Sequence, residues 1–315
     1  MSFRWKSDQP LFCLAPMEGA TDAAFRQVVV DCGKPDVMFT EFVNVSGMMS
    51  VGRRQVAQAL QFEENEQPLI AQIWGLNPDH FYAATKEVVA RGFAGVDINM
   101  GCPDKAVIKK GAGGALIKNR PLVSEIIQAV KLGAAGKIPV SVKIRIGFDK
   151  IVTDDWAAFV LSHDIDALTV HGRTVAELSK VPCHWDEIGK VVSLRNQMNK
   201  ETVIIGNGDV FSRQQGLDLI GEHQVQGVMI GRGIFHNPWI FSHSTEVSRD
   251  KSERIALLLF HLDTYERLWG ATKPFAPLKK YFKIYIQSFD GASELRERLM
   301  ETKTIAEARA LLLSC

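Results

Sequence analysis

The chain has 315 residues, 46% apolar and 23% charged, with a net charge of +1, a balance ordinary for a globular enzyme that neither requires nor forbids a nucleic-acid partner, because a local basic patch suffices. Its five cysteines, Cys13, Cys32, Cys102, Cys183 and Cys315, are widely spaced without a Cys-x-x-Cys pair, which excludes a disulfide scaffold and a zinc ribbon and fits a reducing compartment. The polar N-terminus lacks the apolar core of a secretion signal and no apolar stretch could span a bilayer, so a cytoplasmic protein with no membrane partner and no metal is expected.

In chain order, eight short β-rich runs occupy residues 12–15, 37–41, 69–74, 96–99, 140–145, 167–171, 203–206 and 228–231. They are nearly continuous in apolar residues rather than alternating, the pattern of strands buried on both faces. Helical periodicity fills the gaps, as in 78–91, opened by Asn77-Pro78 as cap and first turn, and 121–132, opened by Asn119. Eight strands alternating with helices over about 240 residues is the rhythm of an α/β fold of the (β/α)8 or TIM-barrel class. A doubly wound sheet would rarely need eight such units. After Trp239 the strand rhythm stops, and from Glu253 apolar stripes at Ile255, Leu258, Leu259 and Leu262, then Ile305, Ala308 and Leu312, predict a helical bundle. The expected domains are a barrel over 1–243 and a helical domain over 244–315.

Polar residues gather at one place in each strand. Ala15-Pro16-Met17 follows the first run and Gln72 lies in the third. Asn99 and Cys102 follow the fourth, Lys143 and Arg145 end the fifth, and His171-Gly172-Arg173-Thr174 ends the sixth. Asn207-Gly208-Asp209 and Gly231-Arg232-Gly233 end the last two. In a parallel barrel these ends share one rim. Singly, Gln72 could be a satisfied core residue, His171 a capped loop histidine and Lys143 a solvated strand end. Seven polar clusters at the same end of seven strands are harder to explain so. The last two turns leave backbone N–H groups free to face a phosphate, with Arg232 as a forked counter-ion, as in barrels that bind flavin mononucleotide.

The motifs Leu14-Ala15-Pro16-Met17-Glu18-Gly19-Ala20-Thr21-Asp22, Ala71-Gln72-Ile73-Trp74-Gly75, the run from Asp97 to Pro103, Val142-Lys143-Ile144-Arg145, His171-Gly172-Arg173-Thr174, Gly206-Asn207-Gly208-Asp209 and Ile230-Gly231-Arg232-Gly233 stand in order along the whole barrel. Together they resemble the flavin-dependent tRNA-dihydrouridine synthases. The resemblance implies reduction of the uracil 5,6 double bond in tRNA, with FMN as cofactor and NADPH as electron donor. It implies that Gln72, Lys143 and His171 contact the isoalloxazine and that Ala15, Pro16 and Met17 lie beside it. Asn207, Gly208, Asp209, Gly231 and Arg232 would then form the phosphate end. A thiol of ordinary pKa, near ~8.5, is mostly protonated at neutral pH, so Cys102 is expected to act as general acid toward carbon 5 of the uracil. Asn99, Lys105, Arg145 and Arg173 are expected beside the substrate.

By the same resemblance the helical tail binds tRNA. Residues 273–289 hold Lys273, Lys279, Lys280 and Lys283, five aromatics (Phe275, Tyr281, Phe282, Tyr285 and Phe289) and no acid. Lys279, Lys280 and Lys283 would meet phosphates and Tyr281 would stack on a nucleotide. The alternative is a helix with an aromatic core face and a solvated basic face. Lys109 and Lys110 lie close to Cys102 in sequence, within reach of a substrate strand. Two rival functions stand beside this one: an FMN-dependent barrel acting on a free small molecule such as a pyrimidine, and a non-catalytic tRNA-binding protein. A monomer is expected.

Overall fold

The computed structural model describes residues 3–243, 249–270 and 272–315. Nine parallel strands form one sheet: β1 (Leu11–Leu14), β2 (Met38–Phe39), β3 (Val43–Asn44), β4 (Leu69–Trp74), β5 (Gly95–Met100), β6 (Val140–Arg145), β7 (Ala167–His171), β8 (Val203–Asn207) and β9 (Gly227–Ile230). Their order is β1-β9-β8-β7-β6-β5-β4-β2. A bridge from Cys13 to Val37, with the Leu14 amide donating to the Val37 carbonyl at 2.9 Å, closes the ring into a barrel.

The one departure among the strands is the second run, expected to be continuous over 37–41. It is shortened to β2, and a further short strand, β3, follows it; the two pair with the two ends of β4. Between them Thr40 takes over the hydrogen bonding: its hydroxyl accepts from the Gln72 amide at 3.1 Å and donates to the Glu41 carbonyl at 2.7 Å. The side chain thereby replaces a ladder partner and lets the chain turn toward the rim.

Helices wrap the barrel: α1 (Ala23–Gly33), α2 (Pro78–Ala90), α3 (Arg120–Ala134), α4 (Thr153–Leu161), α5 (Trp185–Gln197) and α6 (Arg213–His223). The two starts read from sequence are built as expected, with the Asn77 side chain accepting from the Asp79 and His80 amides and Asn119 from that of Leu122. At the N-terminal end of the barrel Trp5 is buried against Phe39, their rings 6.1 Å apart, above a layer that includes Val37, Ile70 and Val203. Trp5 and this layer plug the barrel below, and a cavity opens at the C-terminal ends of its strands.

The tail contains α7 (Lys251–Trp269), α8 (Ala292–Glu301) and α9 (Ile305–Leu313). The expected border between residues 243 and 244 adjoins 244–248, which lie outside the described residues. Helix α7 packs on α1. Residues 273–289 do not make one helix: Pro277 opens a tight turn over Ala276–Tyr281, one α-turn follows over Phe282–Tyr285, and Ser288 takes φ +65°. Tyr281, Phe282 and Tyr285 are buried, while Phe275 and Phe289 pack half-buried against the core. Among the described residues no helix is long and apolar enough to cross a membrane.

Candidate active site

The open mouth is lined by Ala15, Pro16, Met17, Gln72, Asn99, Cys102, Lys143, Arg145, His171, Arg173, Asn207, Gly208, Asp209, Gly231 and Arg232. Fifteen of the residues singled out from sequence thus converge on one cavity from seven strand ends.

The cysteine loop is held from below by a chain of hydrogen bonds. Ser141 donates to Asp97 at 2.6 Å, Gln72 Nε2 donates to the other carboxylate oxygen at 2.7 Å, and Asn99 Nδ2 donates to Gln72 Oε1 at 2.8 Å. Asn99 Oδ1 then accepts from the Cys102 amide at 2.9 Å and the Gly101 amide at 3.2 Å. Arg145 Nε donates to the Gly101 carbonyl at 2.9 Å, and its Nη1 to the Thr174 carbonyl at 3.0 Å. Both ends of Asn99 and much of the Arg145 fork are therefore occupied by the chain itself. They were expected beside the substrate; here they fix the loop that carries the thiol. Burial pushes the Cys102 thiol up, so it is protonated at neutral pH.

The far side of the cavity is cationic. Lys143 Nζ donates to Asn207 Oδ1 at 2.7 Å, and Asn207 Nδ2 to the Met229 carbonyl at 2.8 Å. Burial, with Arg145 nearby, lowers the Lys143 ammonium from 10.5 to about 7. His171 is held well below its ordinary value by burial and by Arg145, Lys143, Arg173 and Arg232, and is neutral. Its Nε2 lies 3.3 Å from Arg173 Nη1. A guanidinium can only donate, so Nε2 accepts and the ring proton sits on Nδ1.

Asp209, expected at the phosphate end, is a carboxylate between two arginines. It accepts from Arg232 Nη2 at 2.9 Å and from Arg173 Nη2, and also takes the Cys183 amide at 3.2 Å. An anion cannot bind a phosphate with its own carboxylate; Asp209 aims the arginines instead. Arg173 is buried, and its Nε donates to the Val181 carbonyl at 2.7 Å. The chain thus holds its fork in place where it lines the cavity.

Gly208 adopts φ +131°, and a Cβ there would sit 2.5 Å from Cys183 Sγ. The turn is open only because position 208 has no side chain. The donor set fits a phosphorylated anion: a desolvated lysine and a half-exposed arginine face a cavity beside two glycine turns.

Sequence reasoning passed over Phe42, Phe211 and Met229, which also line the cavity, as does Ser179 of the run 178–184 that sequence places near the substrate. Phe42 and Phe211 stand just past strand ends, a placement that could have found them. Cys183 belongs to that same run, but its place under Gly208 carries no sequence signal.

The tail residues lie elsewhere. Tyr281 is buried, its ring stacked on Phe25 at 5.0 Å and its hydroxyl donating to the Ala20 carbonyl at 2.7 Å. That ring is not available to stack on a nucleotide, which corrects the expectation. Lys279 Nζ donates to the Met300 carbonyl at 2.7 Å and Lys280 Nζ to that of Gly19. Lys283 and Lys105 are exposed, and Lys280 and Lys283 border a groove shared with Arg232.

Fold and rim define a protein of the parallel (β/α)8-barrel class with its reactive groups at the C-terminal mouth. The family model for "Dihydrouridine synthase (Dus)" matches residues 13–315. A protein of Staphylococcus aureus (strain COL), described as "Probable tRNA-dihydrouridine synthase", is 44% identical over 307 residues, 96% of this chain and 92% of that protein. "Probable tRNA-dihydrouridine synthase 2" of Bacillus subtilis (strain 168) is 43% identical over 307 residues, 96% of this chain and 93% of its own length. Among solved structures, histamine dehydrogenase from Rhizobium sp. 4-9 superposes with a TM-score of 0.55 at 11% identity, covering 80% of this chain and 48% of that one, a likeness of fold. The chain belongs to the dihydrouridine synthase family.

Proposed function

We propose that the protein reduces uridines in tRNA to dihydrouridine, with FMN bound in the barrel mouth and NADPH as electron donor. The observation that carries this reading is the Cys102 thiol on a loop fixed at the rim of a cavity whose lining also holds Lys143, His171 and Arg232. Lys143, His171 and the remaining Nε2 proton of Gln72 supply donors for the pyrimidine edge of the flavin. Ala15 to Met17 lie beside its ring, and Asn207, Gly208, Gly231 and Arg232 hold its phosphate with Asp209 orienting Arg232. When bound, FMN supplies a hydride to carbon 6 of the uracil.

The chain's own part is acid catalysis and positioning. Cys102 holds at Sγ the proton that carbon 5 requires, and the bonds to Asn99 and from Arg145 hold the backbone of the loop that carries it. Raised by burial, the thiol keeps its proton until the base approaches. The uridine must leave its stack to reach it, and phosphate contacts from exposed lysines offset that cost. Barrel 1–243 carries the chemistry and tail 244–315 the RNA, in a cytoplasmic monomer.

The test is direct. Purified protein should be yellow, and with NADPH it should form dihydrouridine at defined positions in unmodified tRNA while leaving free uracil untouched. Cys102→Ala should retain the flavin and lose nearly all uridine reduction in a single turnover. Colourless protein, or equal turnover on free uracil, overturns the reading.

A further inference from the structure

With Tyr281, Phe282 and Tyr285 of the tail packed inward, the aromatic pair that adjoins the catalytic mouth lies on the barrel. Phe42 stands immediately before β3 and Trp74 ends β4, the strand that β3 pairs with. Their rings meet edge to face, centroids 6.4 Å apart at 80°. Both are half-buried, and neither belongs to the apolar clusters that fill the barrel or its helical shell. Phe42 lines the cavity that holds Cys102. Two large rings that serve no core and adjoin a catalytic mouth are unusual, since aromatic area is ordinarily spent on packing.

A cation stands over Trp74. Lys110 Nζ lies 5.9 Å from the Trp74 ring centroid. Lys105, Lys109 and Lys110 are exposed on the short helix that follows Cys102, and among the described residues none of them forms an ion pair. In the barrel order β9 and β1 carry the face against which the tail docks, whereas β2 to β5 carry these rings and lysines. The mouth is thus flanked by positive charge on two separate sectors.

We propose that Phe42, Trp74 and Lys110 form a second RNA subsite, in which the base of a nucleotide flanking the target uridine stacks on Trp74 and its phosphate meets Lys110. The occupant is single-stranded RNA because the surface pairs a π-face with unneutralised ammonium groups, the two elements such strands are held by. Phe42 lines the cavity and touches Trp74, so the stacked base belongs to a nucleotide near the one that enters it. The subsite rests on the reading of the substrate as tRNA, and it assigns Trp74 to positioning rather than to chemistry.

The experiment compares wild type, Trp74→Leu, Trp74→Phe and Lys110→Gln, as flavin-loaded full-length proteins, on tRNA over a range of salt. Wild-type formation of dihydrouridine comes first; its absence would sink the functional reading and not bear on Trp74. Given that activity, Trp74→Leu should raise KM for tRNA by roughly tenfold, at the lower end of what losing one base–aromatic stack does, with kcat changed far less. Trp74→Phe, which keeps a ring, should recover most of it. Lys110→Gln, on an exposed side chain that folding does not need, should lower the log–log salt slope of binding by about 1. Unchanged KM in Trp74→Leu, or an equal loss in Trp74→Phe and Trp74→Leu, or an unaltered salt slope in Lys110→Gln, overturns the subsite.

Discussion

Lys143 is the residue whose charge depends most on what fills the mouth. Without an anion beside it, burial lowers its ammonium from 10.5 to about 7, so near neutrality the lysine is only partly charged. A bound anion favours the charged form, and binding above about pH 7 must therefore take up a proton. FMN affinity should be flat below that pH and fall by up to roughly tenfold per unit above it. Lys143→Met should bind more weakly and without that slope. The folding sign runs the other way: a depressed amine contributes stability that is complete above 10.5 and is lost as pH falls to about 7. Flavin titrations at several pH values, followed by fluorescence, check the binding term; a constant Kd across the alkaline range would show that the lysine is fully charged throughout. The same residue shows what sequence can reveal. Its position at a strand end was legible, as was that of Cys102. What Arg145, Arg173 and Asp209 bond to was not, because their partners come from other strand ends: Arg145 reaches Gly101 and Thr174, Arg173 reaches Asp209.

Among elements, the barrel strands were legible because both of their faces are apolar, and the helix starts because Asn77 and Asn119 are capping side chains. The tail was not. A run of aromatics and lysines has the composition of an amphipathic helix, yet Pro277 and the burial of Tyr281, Phe282 and Tyr285 impose two short turns. The β8 turn is the element where local geometry and the site are most tightly joined. At Gly208 a methyl group would face a left-handed φ of +131° and a sulfur at 2.5 Å. Gly208→Ala should destabilise the protein by about 1–3 kcal/mol and weaken FMN binding. Cys183→Ala removes the sulfur but not the φ strain, so the double variant should recover only part of the stability. Thermal melts of the four proteins in a cycle measure this. Full recovery would assign the whole cost to the contact, and none would assign it to the backbone.

At the scale of the whole molecule, a net charge of +1 conceals an uneven distribution. Lys143, Arg145, Arg173 and Arg232 crowd one end of the barrel, and that end is joined to the tail. Phe25 and Val28 of α1 are fully buried, and Phe25 stacks on Tyr281. Lys273 pairs with Asp22 at 3.0 Å, and the Tyr281 hydroxyl bonds the Ala20 carbonyl. These contacts fall on the loop that follows β1, whose first residues Ala15 to Met17 line the cavity. A barrel cut loose after residue 243 would expose that face of α1, which is a patch for association rather than a surface. Tail and barrel should accordingly unfold in one transition, although they divide the labour. Tyr281→Phe, which keeps the stack and deletes the hydroxyl, should lower stability by about 1 kcal/mol, the net worth of an ordinary hydrogen bond, and should loosen the β1 loop enough to speed amide exchange in residues 17–22. Calorimetry with hydrogen exchange tests both parts; two separate transitions, or exchange unchanged in that loop, would mean that the tail rests on the barrel without steadying its mouth.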